Sequence, residues 1–241
     1  MSVALAIDQP ASIVPETVVV PSGKLRLKAL LWKPNGPGPF PTVLFNHGSG
    51  GADADHTAGL HMTEAAEKLA PLFLKHGYAF LYLFRRGQGL SADQGPFMQD
   101  ILRQEEAAKG KIARQHLHFV LATTDHLDDV MAGLTFLKTA PAIDAKRIAI
   151  AGHSFGGLPT LLAVERDNSV RAAVTFAAAA GSWERSPELR ERLRSAVDST
   201  TAPIMLIQAA NDYWMGTRCL RIPRRTRKTL ARRPPKKVSL V

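Results

Sequence analysis

The 241 residues suit one large α/β domain, and 45% hydrophobic with 22% charged residues predicts a sizeable buried core. No apolar run reaches the roughly 18 residues of a membrane-spanning helix, and residues 1–15 have no basic start, so neither a span nor a cleaved secretory signal is expected. The net charge of +10 belongs to residues 213–241, which hold ten Arg or Lys and no acidic residue; the 21 basic and 21 acidic residues before them balance, giving the body no footprint for a polyanion.

In chain order, β-formers at 16–20 and 25–32 flank Pro21-Ser22-Gly23 and predict an antiparallel hairpin. A short apolar strand follows at 42–45. Apolar residues at helical spacing (Ala66, Leu69, Ala70, Leu72, Phe73) predict a helix over 63–75, stopped by Gly77. A buried strand is expected over 78–84, an irregular helical stretch over about 98–119, and a stronger helix over about 124–139. The rest reads as strand 147–151, helix 157–165, strand 170–177, helix 187–197 and strand 203–208. Near-continuous apolar strands alternating with helices imply a mainly parallel sheet with helices on both faces.

One turn carries a chemical signature. Gly152-His153-Ser154-Phe155-Gly156-Gly157 follows an apolar strand and opens a helix, which is the setting of a G-x-S-x-G nucleophile elbow. Glycines two residues to either side, Gly152 and Gly156, remove the clashes of so tight a turn. The turn lifts the Ser154 hydroxyl to the carboxyl edge of the sheet and aims the Phe155 amide at a developing oxyanion. His153 reads as a shape-filling residue. A second oxyanion donor is expected in Asn46-His47-Gly48-Ser49-Gly50-Gly51, with Ser49 as the candidate and His47 holding the loop. Asp212, just past the strand at 203–208, is positioned to be the acid that orients an imidazole.

Together with Asn46-His47-Gly48, Arg86-Gly87-Gln88-Gly89-Leu90-Ser91, Asp144-Ala145-Lys146-Arg147-Ile148 and residues 208–212, these features make the chain resemble the dienelactone hydrolase branch of the α/β-hydrolase superfamily, close to prolyl-oligopeptidase-like esterase domains. The resemblance covers residues 42–212. It implies an α/β-hydrolase fold and attack by Ser154 on an ester or similar acyl carbonyl of a small molecule, followed by hydrolysis of the acyl-enzyme. Dienelactone hydrolases proper use a cysteine nucleophile, whereas serine stands here. Asp144 reads as a turn residue. Arg85 and Arg86 read as structural, with binding of a substrate carboxylate the alternative. Residues that select substrate are expected in the helical insertion, about 92–120, and in the cap at 181–200.

The resemblance also implies a triad in the order serine, acid, histidine, yet all eight histidines (47, 56, 61, 76, 116, 118, 126 and 153) precede Asp212. His116, His118 or His126 would serve only if the insertion folded over the elbow. Past Asp212 the helix-strand rhythm stops in an Arg-, Lys- and Pro-rich run. The expected organisation is therefore an α/β-hydrolase domain at 1–212, lacking its last strand and helix, and a disordered basic tail at 213–241. An out-of-frame translation from about codon 213 accounts for such a tail, and the other forward frames of the coding DNA test this. A selected tail that binds polyanions or anionic membrane non-specifically is the alternative. An absent last strand would leave 203–208 as an unpaired apolar edge and lower solubility. The single cysteine, Cys219, excludes an intramolecular disulfide and fits a cytoplasmic enzyme. No metal cluster or dinucleotide fingerprint is present, so no cofactor is expected.

Overall fold

Two apolar clusters sandwich one twisted sheet, and the sheet's strand order sets where chemistry can occur. The computed structural model describes residues 14–49, 59–178, 180–209 and 238–240. Strands β1 (Glu16–Ser22) and β2 (Leu25–Trp32) form the antiparallel hairpin, with Val18 facing Ala29 and Ser22 facing Leu25. Then come β3 (Phe40–Asn46), α1 (Gly59–Leu74) and β4 (Ala79–Leu83). A 3₁₀ stretch (Gly89–Gln94) leads to α2 (Met98–Thr123) and α3 (Asp125–Thr139). They are followed by β5 (Ile143–His153), α4 (Gly157–Arg166), β6 (Ala173–Phe176), α5 (Ala180–Arg185), α6 (Pro187–Ser199), β7 (Ile204–Ile207) and β8 (Val238–Leu240).

The sheet order is β1-β2-β4-β3-β5-β6-β7-β8, and every pairing from β4 onward is parallel. At its centre Leu44 stands between Leu81 and Ile150, all three fully buried, each worth about 1.5–3 kcal/mol of transfer from water. Helix α1 packs on β2 and β4, while α3 and α4 pack on the opposite face. The irregularity expected in the insertion has a local cause: Gly110, at φ +85°, breaks the helical path of α2. Helix α6 starts at Pro187, its first amide turn capped by Ser186, whose Oγ accepts from the Leu189 amide at 3.2 Å.

Two elements differ from expectation at the far side of the sheet. Helix α5 is only six residues, Ala-Gly-Ser-Trp-Glu-Arg, too short for a periodic signal, and is anchored by buried Trp183. The edge at 203–208 is not left unpaired. Val238, Ser239 and Leu240 pair in parallel with Ile204, Met205 and Leu206 as a three-residue strand. No helix among the described residues is long and apolar enough to cross a membrane.

Candidate active site

The chain leaves β3 through α1 toward β4 on one side and leaves β5 through α4 toward β6 on the other. The carboxyl ends of β3 and β5 therefore face a crevice at which the strand order switches, the position where open α/β sheets bind ligands. The Asn46-His47-Gly48 loop follows β3 and Ser154 follows β5, so both candidate segments meet there.

Ser154 has φ +50°, a left-handed conformation that costs a non-glycine residue about 1–2 kcal/mol. Close packing holds it. A Cβ on Gly152 would collide with the Gly156 carbonyl and Thr160 Oγ1, and one on Gly156 would collide with the carbonyl oxygens of Asn46 and His47. Asn46 Nδ2 donates to Thr160 Oγ1 at 2.8 Å, and Thr160 Oγ1 donates to the Gly156 carbonyl at 2.8 Å, tying β3 to the elbow. The β3 loop lies against Ser154, since a Cβ on Gly48 would sit 3.4 Å from Ser154 Cβ. Ser49 is the next residue.

Arg85, wholly buried at the end of β4, grips both halves of this arrangement. Its Nη2 donates to the carbonyls of His47 at 2.8 Å and Gly48 at 3.2 Å, and to Gln88 Oε1 at 3.3 Å. Its guanidinium carbon lies 5.2 Å from the centre of the Phe155 ring. Burial lowers the Arg85 pKa to about 10, opposed by Asp129, which leaves the side chain charged at neutral pH. His47 is buried, and desolvation together with Arg85 holds its pKa well below the usual imidazole range. The ring is neutral: its Nδ1–H donates to Gly48 O at 2.7 Å, and Nε2 accepts from the Arg85 amide at 3.3 Å.

Arg86 is committed elsewhere. Its Nε and Nη2 make a bidentate pair with fully buried Asp129, Nη1 reaches Asp125 at 3.1 Å, and its amide donates to Asp129 Oδ2 at 2.9 Å. Asp144, read from the sequence as a turn residue, lies in β5 where the register with β3 is irregular, and accepts from the Lys146 amide and from Arg147 Nε.

None of the insertion's histidines makes a hydrogen bond with Ser154. His116 pairs with Glu188 at 3.1 Å on the surface. His118 and His126 instead pack their edges on the Phe155 ring, at 5.6 Å and 5.2 Å. Burial lowers the His118 pKa to about 4 and that of His126 well below normal. His153 is exposed at the rim of the crevice. His56 and Asp212 lie outside the described residues.

Beside the elbow, on the α1 face, a cleft of about 280 Å³ is lined by Phe45, Tyr82, Phe176, Leu69, Ala65 and His153, with His47 and Gly48 at its inner end. Sequence reasoning did not anticipate this cleft or the Arg85 clamp, because both join residues from separate strands. The available hints were a buried-strand end reading Arg85-Arg86 and polar Asn46 and Thr160 in apolar surroundings.

Comparison with known proteins agrees with the geometry. The prolyl oligopeptidase family profile matches residues 120–191. The quorum-quenching protein AidA of Acinetobacter baumannii (strain MDR-ZJ06) is 27% identical over 161 residues, 67% of this chain; the chain spans only 43% of that relative's length. Among solved structures, acylaminoacyl peptidase of Pyrococcus horikoshii superposes with a TM-score of 0.62 at 20% identity, over 94% of this chain and 36% of that one. Dienelactone hydrolase of Anabaena variabilis superposes with a TM-score of 0.58 at 20% identity, over 94% of this chain and 85% of that one. At such identities the structural likeness speaks for the fold.

Proposed function

From the premise that the chain has the α/β-hydrolase fold and resembles its dienelactone hydrolase and prolyl-oligopeptidase-like branch, we propose that it is a serine hydrolase of small carboxylic esters or related acyl compounds. Ser154 Oγ attacks the acyl carbon and forms the acyl-enzyme as the ester C–O bond breaks and the alcohol departs with the serine proton. Water then adds to the acyl carbon, releasing the acid and returning the proton to Ser154. The amides of Phe155 and Ser49 are the oxyanion donors and Asp212 the orienting acid. The reading uses no cofactor.

The observation that carries this reading is the left-handed Ser154 at the switch point of the sheet, a strained turn that Gly152 and Gly156 make possible. The expectation of slow turnover rests on the sequence, in which no histidine follows Asp212; among the described residues His47, His116, His118 and His126 make no hydrogen bond to Ser154. Removing the base of a comparable triad costs about a millionfold. Acylation without rapid deacylation is the expected behaviour.

The test is stoichiometric labelling of the full chain by a fluorophosphonate, followed by mass spectrometry. Slow labelling of Ser154 that disappears in Ser154→Ala supports the reading. A folded chain that never labels overturns it and favours a non-catalytic product whose basic tail, not its elbow, meets a partner.

A further inference from the structure

We propose that the cleft under α1 seats an aromatic ring of the substrate, so that the chain selects esters whose non-reacting part is one uncharged ring on a short linker. The inference deepens the ester-hydrolase reading and rests on it for the reacting end only.

The cleft begins where the chemistry would occur. Gly48 and His153 form its inner rim, and a Cβ on Gly48 would lie 3.4 Å from Ser154 Cβ and 3.3 Å from His153 Nδ1. A group bound there is within one or two bonds of an acyl carbon held at Ser154. Its walls are aromatic and come from three strands: Phe45 on β3, Tyr82 on β4 and Phe176 on β6. Phe45 and Tyr82 stack with centroids 5.6 Å apart and planes 14° apart, and His47 continues the surface at 5.8 Å from Tyr82. The result is a flat, continuous wall, suited to offset stacking against another ring.

Polarity and size narrow the occupant. Among the described residues no carboxylate, lysine or arginine lines the cleft, and His47 is neutral, so a charged acyl chain would lose its hydration with nothing from these residues in return. An apolar cavity of roughly 150 Å³ holds benzene, and drug-sized pockets start near 300 Å³. At about 280 Å³ the cleft takes a phenyl group with two or three linker carbons, and it is too small for a second fused ring with its linker. Phe176 remains 37% exposed, leaving aromatic surface that a bound ring would cover.

The test uses the full chain and two neutral amides that it need not cleave, 3-phenylpropionamide and hexanamide, with binding followed by ligand-observed NMR. The ring-bearing amide is expected to bind at least tenfold more tightly. Phe176→Ala should remove most of that advantage and leave hexanamide within about twofold. Ala65→Phe, at an exposed position of α1, should block the cleft without touching the core and weaken 3-phenylpropionamide at least tenfold, with an unchanged circular dichroism spectrum. Equal affinities in the parent, or full binding by folded Ala65→Phe, overturn the proposal. If the ring binds as expected but Ser154 never labels, the hydrolase reading fails and the aromatic site stands. If Ser154 labels and the amides bind alike, the reverse holds.

Discussion

Replacing Gly156 by alanine asks whether the elbow is held by packing or merely permitted by glycine. Gly156 has φ −61° and ψ −21°, an ordinary helical conformation. On backbone grounds alone an alanine there would stabilise the fold by about 0.4–1 kcal/mol, by restricting the unfolded chain. The collision decides the sign. The added carbon would fall well inside van der Waals distance of the Asn46 and His47 carbonyl oxygens, which are backbone atoms anchored in the sheet and by Arg85. Overpacking of that kind costs about 1–3 kcal/mol, and the rigidity of both obstacles puts this case at the upper end. For a chain of this size each kcal/mol lowers the melting temperature by about 2–4 °C, so a net loss of about 2 kcal/mol is expected as a drop of about 4–8 °C. The elbow must also retreat from the β3 loop by close to 1 Å, enough to slow Ser154 labelling by about a hundredfold. The assays are a thermal melt by circular dichroism and the fluorophosphonate rate. An alanine variant that melts above the parent, or labels at the parent rate, refutes the packing argument.

Two further outcomes follow from buried polar groups. Thr160→Val removes the partner of Asn46 Nδ2 while Asn46 Oδ1 is already without one, so an amide is left buried and unpaired at a cost of about 2–3 kcal/mol in urea melts. Adding Asn46→Leu to Thr160→Val should recover part of that loss, and no recovery would mean the hydroxyl acts through Gly156 alone. The buried histidines make the fold acid-sensitive. His118, with its folded pKa near 4, is neutral when folded between pH 4 and 6.5, while the unfolded chain takes up the proton. Stability contributed by the neutral ring is therefore full above about pH 6.5 and falls as pH drops toward 4, with His47 and His126 acting in the same direction. His118→Phe should flatten the decline between pH 7 and 4.5 by about 1–2 kcal/mol, allowing for partial exposure of the ring. An unchanged slope would show that His118 is not held neutral.

What could be read from the sequence was what depends on a few consecutive residues. The elbow is legible because a left-handed serine needs glycine two positions away on each side, and Gly152, Ser154 and Gly156 state that requirement directly. The strands and long helices are legible because their apolar spacing repeats. Arg85 is different. Beyond nearby Gln88, its partners lie at His47, Gly48 and Phe155, and only the parallel pairing of β3, β4 and β5 brings them to it. The cleft likewise needs Phe45, Tyr82 and Phe176 on three strands in register, a coincidence that no local window contains. Helix α5 and strand β8 escaped because six and three residues are too few to show a period.

The same division explains how the elbow keeps its geometry although, among the described residues, no imidazole of α2 or α3 hydrogen-bonds to Ser154. Ser154, the loop that opposes it and the clamp that holds both lie on β3, β4 and β5, the most deeply packed strands. Gly152 and Gly156 are filled spaces in that packing, so the geometry of Ser154 is kept by the same contacts that keep the fold. A base makes no such contribution. A base of that kind comes from a loop at the crevice and is held by a hydrogen bond or two, so removing one would leave stability nearly untouched. His118 and His126 show the converse: both rings pack on Phe155, and burial, reinforced by nearby arginines, has taken away the basicity that proton transfer would need.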